Sequence, residues 1–372
     1  MWAVYRIPLI RLFRNKALMV YIFIALYIVV SAVAYETMYK VKLGERRDVF
    51  LVPLFFILFF VMGLRSTSVG VDTDNYSFVF NMISDREPRL LFQNFFFITF
   101  EIGFVAFAKF TSYLVDSYYF FQCLEAALFC YLMYNFIRNS TNHFIIAAFV
   151  FLGMGLYLQS FNIIRQMLAV ALSANAWLYL TKKRYWNFLI FASLAVTFHL
   201  SSVVCVLIYL MYLLKDKEIF QKLFPALLLA FAFVLNSVVE QMGNFFSRYE
   251  THLNAKEIQE ANMVKILWGI ELAIALYIWY RRHTFNSRER FIAMMSMAYV
   301  ACNYIALSVS LFERVGTYFS PFVLLLFGVL GNSLTNKTLR IFYCSITCIC
   351  FMIFFVKSGS TDQYIYSFFF FR

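Results

Sequence analysis

Residues 49–64 read VFLVPLFFILFFVMGL, an unbroken apolar run, and residues 65–76 then turn polar at once, from Arg65 through Ser68, Gly70, Asp72 and Asp74 to Tyr76. A run of this length approaches what a helix needs to cross about 30 Å of hydrocarbon. The polar stretch after it is where the chain must leave the bilayer. It carries an arginine, two carboxylates and a tyrosine, residue types that grip phosphate and move protons.

The rest of the chain repeats the pattern. Of its 372 residues, 63% are hydrophobic, 21% aromatic and only 14% charged. A soluble protein of this length exposes too much surface to be so apolar. Spans are expected near 17–35, 49–64, 117–137, 143–158, 166–181, 224–240, 263–280, 291–310, 317–334 and 339–357. Residues 186–214 are too long for one crossing of the usual length. They read as two short half-helices that dip in and return, with His199 near the tip in Thr197-Phe198-His199-Leu200-Ser201-Ser202. Non-helical backbone at membrane depth needs protein or a water-filled cavity around it. The fold class is therefore all-α and polytopic, with about ten to twelve membrane helices including that re-entrant pair. One integral membrane domain over 1–372 is expected, with 65–116 as an outer-side loop region that contributes to the active site. No glycine-serine linker or internal repeat is visible, and residues 1–16 do not read as a cleavable signal peptide.

The net charge of +12 does not point to nucleic acid. Much of it sits in short turns, as the positive-inside rule expects. Taking 182–184, 215–222 and 281–290 as cytoplasmic, parity puts 65–116, Arg165, 241–262, 311–319 and the C-terminal tail on the outer side. The basic N-terminal arm with Arg6, Arg11, Arg14 and Lys16 does not fit that parity and reads as an interfacial amphipathic helix. All seven cysteines fall in apolar runs, so they read as core or lipid-facing residues rather than metal ligands or disulfides.

On the outer side parity gathers Arg65, Asp72, Asp74, Tyr76, Glu101, Arg165, Gln166, His199, Arg248, Tyr249, Glu313, Arg314 and Tyr318. The arginines stand in apolar text, where burial is costly. Arginine rather than lysine suits planar, bidentate binding of phosphate or carboxylate. Each residue also has a plainer use. Asp72 with Asp74 can cap a helix that begins near Tyr76. Glu101 can cap or pair with Lys109, Glu313 with Arg314 can be an ion pair, and Arg248 can snorkel to headgroups. The tyrosines can belong to an aromatic belt. Taken together, four arginines beside carboxylates and a histidine suit a substrate that carries phosphate or carboxylate. Arg65, Arg165, Arg248 and Arg314 would hold its charge without metal or other cofactor. Asp72, Glu101 and His199 are the candidate general bases. Tyr76, Gln166, Tyr249, Glu313 and Tyr318 would bind substrate.

The ordered set resembles the EpsG/Wzy-type family of bacterial polysaccharide polymerases. It comprises Gly63-Leu64-Arg65, Val69 to Thr73 with Tyr76, and Glu101 to Phe104. Arg165 to Ala169, Ala195 to His199 with Ser201, Arg248-Tyr249, and Glu313-Arg314 with Tyr318 complete it. Where Val71 stands the family usually has threonine. The resemblance implies a GT-C-like glycosyltransferase that joins oligosaccharide repeats linked to undecaprenyl pyrophosphate. The products would be O-antigen, capsule or exopolysaccharide, made at the outer or periplasmic face of the bacterial cytoplasmic membrane. It also implies a flippase and a chain-length regulator as partners. An O-antigen ligase-like lipid-sugar transferase would use nearly the same chemistry. A flippase or transporter of lipid-linked sugars would instead line a path through the bundle with charge.

Overall fold

The computed structural model describes residues 16–39, 46–93, 100–242 and 262–370. The N-terminal arm, Arg248 and Tyr249 lie outside the described residues. Among those described the chain is helical, with one isolated antiparallel bridge. The helices in chain order are α1 (Lys16–Ala34), α2 (Asp48–Gly63), α3 (Thr73–Ser84), α4 (Pro88–Gln93), α5 (Ile102–Leu114) and α6 (Tyr118–Ser140). Next come α7 (Phe144–Gly153), α8 (Leu156–Asn162), α9 (Ile164–Thr181), α10 (Tyr185–Phe198), α11 (Val204–Leu214) and α12 (Glu218–Met242). The last are α13 (Asn262–Tyr280), α14 (Ser287–Ala306), α15 (Leu311–Gly316), α16 (Ser320–Ser333) and α17 (Lys337–Gly359).

Every span expected from the sequence is helical within a few residues, and the chain is a multi-pass membrane protein. Five helices are long and apolar enough to cross a membrane by length and composition: Leu18–Thr37, Tyr118–Ser140, Glu218–Leu235, Leu311–Ser333 and Lys337–Gly359. The bent pair α7 and α8 makes a sixth, angled by 45°. Two of the remaining expected spans fall short for a physical reason. α9 and α14 carry polar residues but are buried in protein for most of their length, so their surfaces need not match lipid. Pairing between helices at 65–116, expected as loop, is more regular than anticipated: α3 and α5 are helices that pack on each other.

The chain forms two compact units. The first comprises 1–139, 148–171 and 345–372. In it α2 and α6 run antiparallel. At one end Asp48 accepts from Arg138 Nε at 2.5 Å and Nη2 at 2.7 Å, and Arg47 donates to the Arg138 carbonyl at 2.6 Å. At the other end the Gln122 side chain donates to the carbonyls of Gly63 and Arg65, both at 2.8 Å. Those carbonyls belong to the α2 C-terminus, where the helix itself supplies no donor. The second unit comprises 140–147 and 172–344. Here α10 and α11, of 14 and 11 residues, are separated by His199 and a short 3₁₀ turn. Phe188 near the start of α10 stacks on Tyr209 near the end of α11 at 5.3 Å. The chain thus doubles back at His199, as the length of 186–214 led one to expect. The basic end of this unit is tied by Arg290 to Asp216 at 3.5 Å and by the capping box of Asn286 and Glu289 on α14.

Candidate functional site

The first unit assembles its site at the end of α2. After Gly63 the chain turns back, and Arg65 becomes the largest fully buried side chain of the protein, at 0% exposure. Its guanidinium donates to the Met62 carbonyl and, at 3.5 Å, to that of Phe161, and lies 4.8 Å over the Phe161 ring. Arg65 therefore pins the α2 end to the α8 end. The sequence led one to expect a guanidinium facing a substrate anion; in this geometry no part of the group reaches the surface.

The loop that follows is held on three sides. Gly70 has φ +98°, and a Cβ there would stand 2.7 Å from both Asn162 Oδ1 and Thr73 Oγ1. Only glycine suits such a position. Val71 donates its amide to Asn162 Oδ1 at 2.9 Å, and Thr73 Oγ1 donates to the Val69 and Phe161 carbonyls at 2.7 and 3.1 Å. The C-terminal tail closes the third side. Arg65 and Phe368 form the antiparallel bridge. Around it Ser66 donates to the Ser367 carbonyl at 2.8 Å, Phe369 to that of Leu64 at 3.1 Å, and Gly70 to that of Gln363 at 2.8 Å. Tyr366 and Tyr21 hydroxyls donate to the Val61 and Tyr364 carbonyls at 2.9 and 2.8 Å.

This loop delivers Asp72 to the N-cap position of α3, half-buried and without a side-chain capping bond. One turn on, Tyr76 is 6% exposed. Its ring packs at 5.7 Å from Phe104 and 6.5 Å from Phe100, and it shares a hydrogen bond with Arg165. Burial pushes the Tyr76 phenol up, partly offset by the charge of Arg165, so the hydroxyl keeps its proton.

Arg165, at the start of α9, is the second arginine of the unit and differs from the first. It pairs with Glu101, the N-cap residue of α5, and lies 4.4 Å over the Phe100 ring and 5.9 Å from that of Phe104. Both charged side chains keep 20% exposure. Gln166 beside it is buried. The first unit thus brings together Asp72, Tyr76, Glu101, Arg165 and Gln166 over the platform that Arg65 secures. A guanidinium that keeps some exposure, oriented by a carboxylate and two rings, can take a planar oxyanion in a fixed geometry.

In the second unit, Ser201 Oγ donates to the Tyr318 hydroxyl at 3.1 Å, which puts the break at His199 and the segment 317–319 at the same end. His199 is half-buried with extended backbone, and Tyr318 is 1% exposed. Glu313 and Arg314 are exposed on α15. Gly316 lets that turn approach α14, since a Cβ there would be 3.1 Å from Cys302 Cβ and 3.2 Å from Asn303 Nδ2. Among the described residues no three His, Cys, Asp or Glu side chains are grouped to hold a metal ion.

Two acids that the sequence reading passed over are fully buried in mid-helix: Glu125 in α6 and Glu271 in α13. A lone acid inside an apolar run was the available signal.

The sequence model of the EpsG family matches residues 48–370, which include the Arg65 loop, the Glu101–Arg165 pair and the C-terminal tail, and the chain belongs to that family. No curated protein and no solved structure matches it.

Proposed function

We propose that this EpsG-family chain is a glycosyltransferase that polymerises lipid-diphosphate-linked oligosaccharide repeat units. The observation that carries the reading is the Arg165–Glu101 pair, partly exposed over Phe100 and bonded to Tyr76. In the reaction the bond between the donor sugar's anomeric carbon and the diphosphate oxygen breaks. A hydroxyl of the acceptor repeat forms the new glycosidic bond, and its proton passes to a carboxylate. Arg165 receives the developing diphosphate charge, which works without reorganisation because the guanidinium is already fixed. An incoming phosphate competes with Glu101 for Arg165. The carboxylate so released takes the acceptor proton, with Asp72 as the other candidate on the same unit. Tyr76 donates its retained proton to a phosphate or sugar oxygen, and Gln166 supports the Arg165 helix start. Arg314, Glu313, Tyr318 and His199 belong to the second unit and, like Arg248 and Tyr249, are assigned to substrate by family pattern alone. Arg65 is assigned to shaping the loop rather than to the anion.

We place the reaction at the outer or periplasmic face of a bacterial cytoplasmic membrane, with undecaprenyl diphosphate as carrier and O-antigen, capsule or exopolysaccharide as product. A flippase would supply the substrate and a chain-length regulator would set the product. A transporter reading draws support from the acids Glu125 and Glu271, set within the long apolar helices α6 and α13. Both are fully buried, and the exposed charge lies at helix ends, which favours the enzyme.

The test is Arg165→Ala and Glu101→Gln in cells that make the polymer. Both variants should reach the membrane at normal level and leave single repeat units on the lipid carrier. Polymer of normal length in both would refute the reading. Loss of the lipid-linked repeat itself from the outer leaflet would favour transport instead.

A further inference from the structure

On α6, Tyr118, Gln122 and Glu125 are spaced i, i+4 and i+7 and so share one face. That face is turned inward: Tyr118 is 6% exposed, Gln122 and Glu125 not at all. It packs on the end of α2 at close range, since a Cβ on Gly63 would stand 3.4 Å from Cys123 and 3.6 Å from Ala126. Gln122, one turn from Glu125, already bonds the carbonyls of Gly63 and Arg65. The charge of Arg65 is the one that bears on Glu125.

Four groups in this region are buried with no hydrogen-bond partner among the described residues. They are the Tyr118 hydroxyl, Gln122 Oε1, the Glu125 carboxyl and Arg65 Nε. Buried polar groups are almost always satisfied by protein or by ordered water. A water needs two to four polar partners, which these groups supply. They belong to two segments that touch, so scattered accident is a poor account of them.

We propose that Tyr118, Gln122, Glu125 and Arg65 enclose a buried water site, and that Glu125 acts through this water as the positioning residue for Arg65. Arg65 in turn fixes the loop that delivers Asp72 and Tyr76. The water-mediated coupling stands on the packing of α6 against α2. Only its consequence for polymerisation rests on the proposed function.

The experiment is a double-variant cycle on the purified full-length chain in detergent, read by thermal unfolding, with polymer length read in cells. Glu125→Gln keeps a group that can bond the water and should hold the wild-type midpoint and polymer. Glu125→Leu removes the acceptor that holds the water beside Arg65 Nε and should lower the midpoint by about 2 °C. Combined with Arg65→Met, it should cost much less than the two single shifts summed. Should Glu125→Leu fail to accumulate, recovery of accumulation in the double variant is the same coupling, and failure to recover overturns it. Additive shifts, or Glu125→Leu indistinguishable from Glu125→Gln, also overturn the proposal. The midpoints do not depend on the reaction, so a wrong functional assignment would leave the coupling intact.

Discussion

Arg65→Lys separates two jobs that an arginine after a membrane helix can do. The native guanidinium bonds the Met62 carbonyl, reaches that of Phe161 at 3.5 Å and stacks on the Phe161 ring at 4.8 Å. Lysine keeps the charge but has a single point of donation and cannot bond one carbonyl while lying flat on a ring. A hydrogen bond to a charged group contributes about 1.5–3 kcal/mol, and the 3.5 Å contact adds little. The ring stack adds about 0.5–2 kcal/mol. The lysine ammonium recovers part of this by bonding one carbonyl, so the expected loss is about 1–3 kcal/mol. Unfolding entropy per residue converts that to a fall of about 1–4 °C for a chain of this size. The assay is the unfolding midpoint of purified protein, set beside polymer length in cells. Arg165→Lys is the contrast. It alters a group that keeps 20% exposure and pairs with a side chain rather than a helix end, so its midpoint should fall less than that of Arg65→Lys while polymer is lost. If Arg65→Lys instead unfolds at the wild-type temperature and still makes no polymer, the buried-keystone account is wrong. Arg65 would then act on substrate directly.

Gly70→Ala should abolish polymer and lower the midpoint, because φ +98° and a Cβ 2.7 Å from two oxygens together force the loop off Asn162; wild-type polymer from this variant would show that the loop conformation is not needed. Removing residues 361–372 strips partners from the Ser66 and Gly70 amides and the Leu64 carbonyl. The truncated chain should still insert in the membrane but make no polymer, and normal polymer would relegate the tail to packing.

The helices were legible because apolar runs of fixed minimum length leave few alternatives in a bilayer. Lys337–Gly359 against an expected 339–357 is typical. The hairpin at His199 was legible too, since 186–214 exceeds one crossing and a polar Thr-Phe-His-Leu-Ser-Ser interrupts it. The span expected at 143–158 was misjudged in shape. Gly155 adopts φ +79°, bends the pair by 45° and lets the helix continue to Asn162. That glycine stood in plain sight, but apolar neighbours on both sides masked the break. The C-terminal tail was invisible for another reason. Its pairing with residues 64–70 joins positions some three hundred apart, and no local pattern in Tyr364-Ile365-Tyr366-Ser367-Phe368 specifies a partner.

The arginines show where composition stops informing on chemistry. Arg65 and Arg165 have similar apolar surroundings in the sequence, yet they receive opposite environments. Arg65 follows a helix C-terminus, where free carbonyls with no donors of their own attract a cation inward. Two of those carbonyls take Gln122, and Met62 takes Arg65. Arg165 lies in the first turn of α9, where the helix offers amides rather than carbonyls, and its guanidinium pairs with the Glu101 side chain. A side-chain acceptor can be exchanged for a substrate phosphate; a backbone carbonyl buried at a helix end cannot be given up without unfolding that end. The position of each arginine relative to its helix therefore decides which one is available for chemistry.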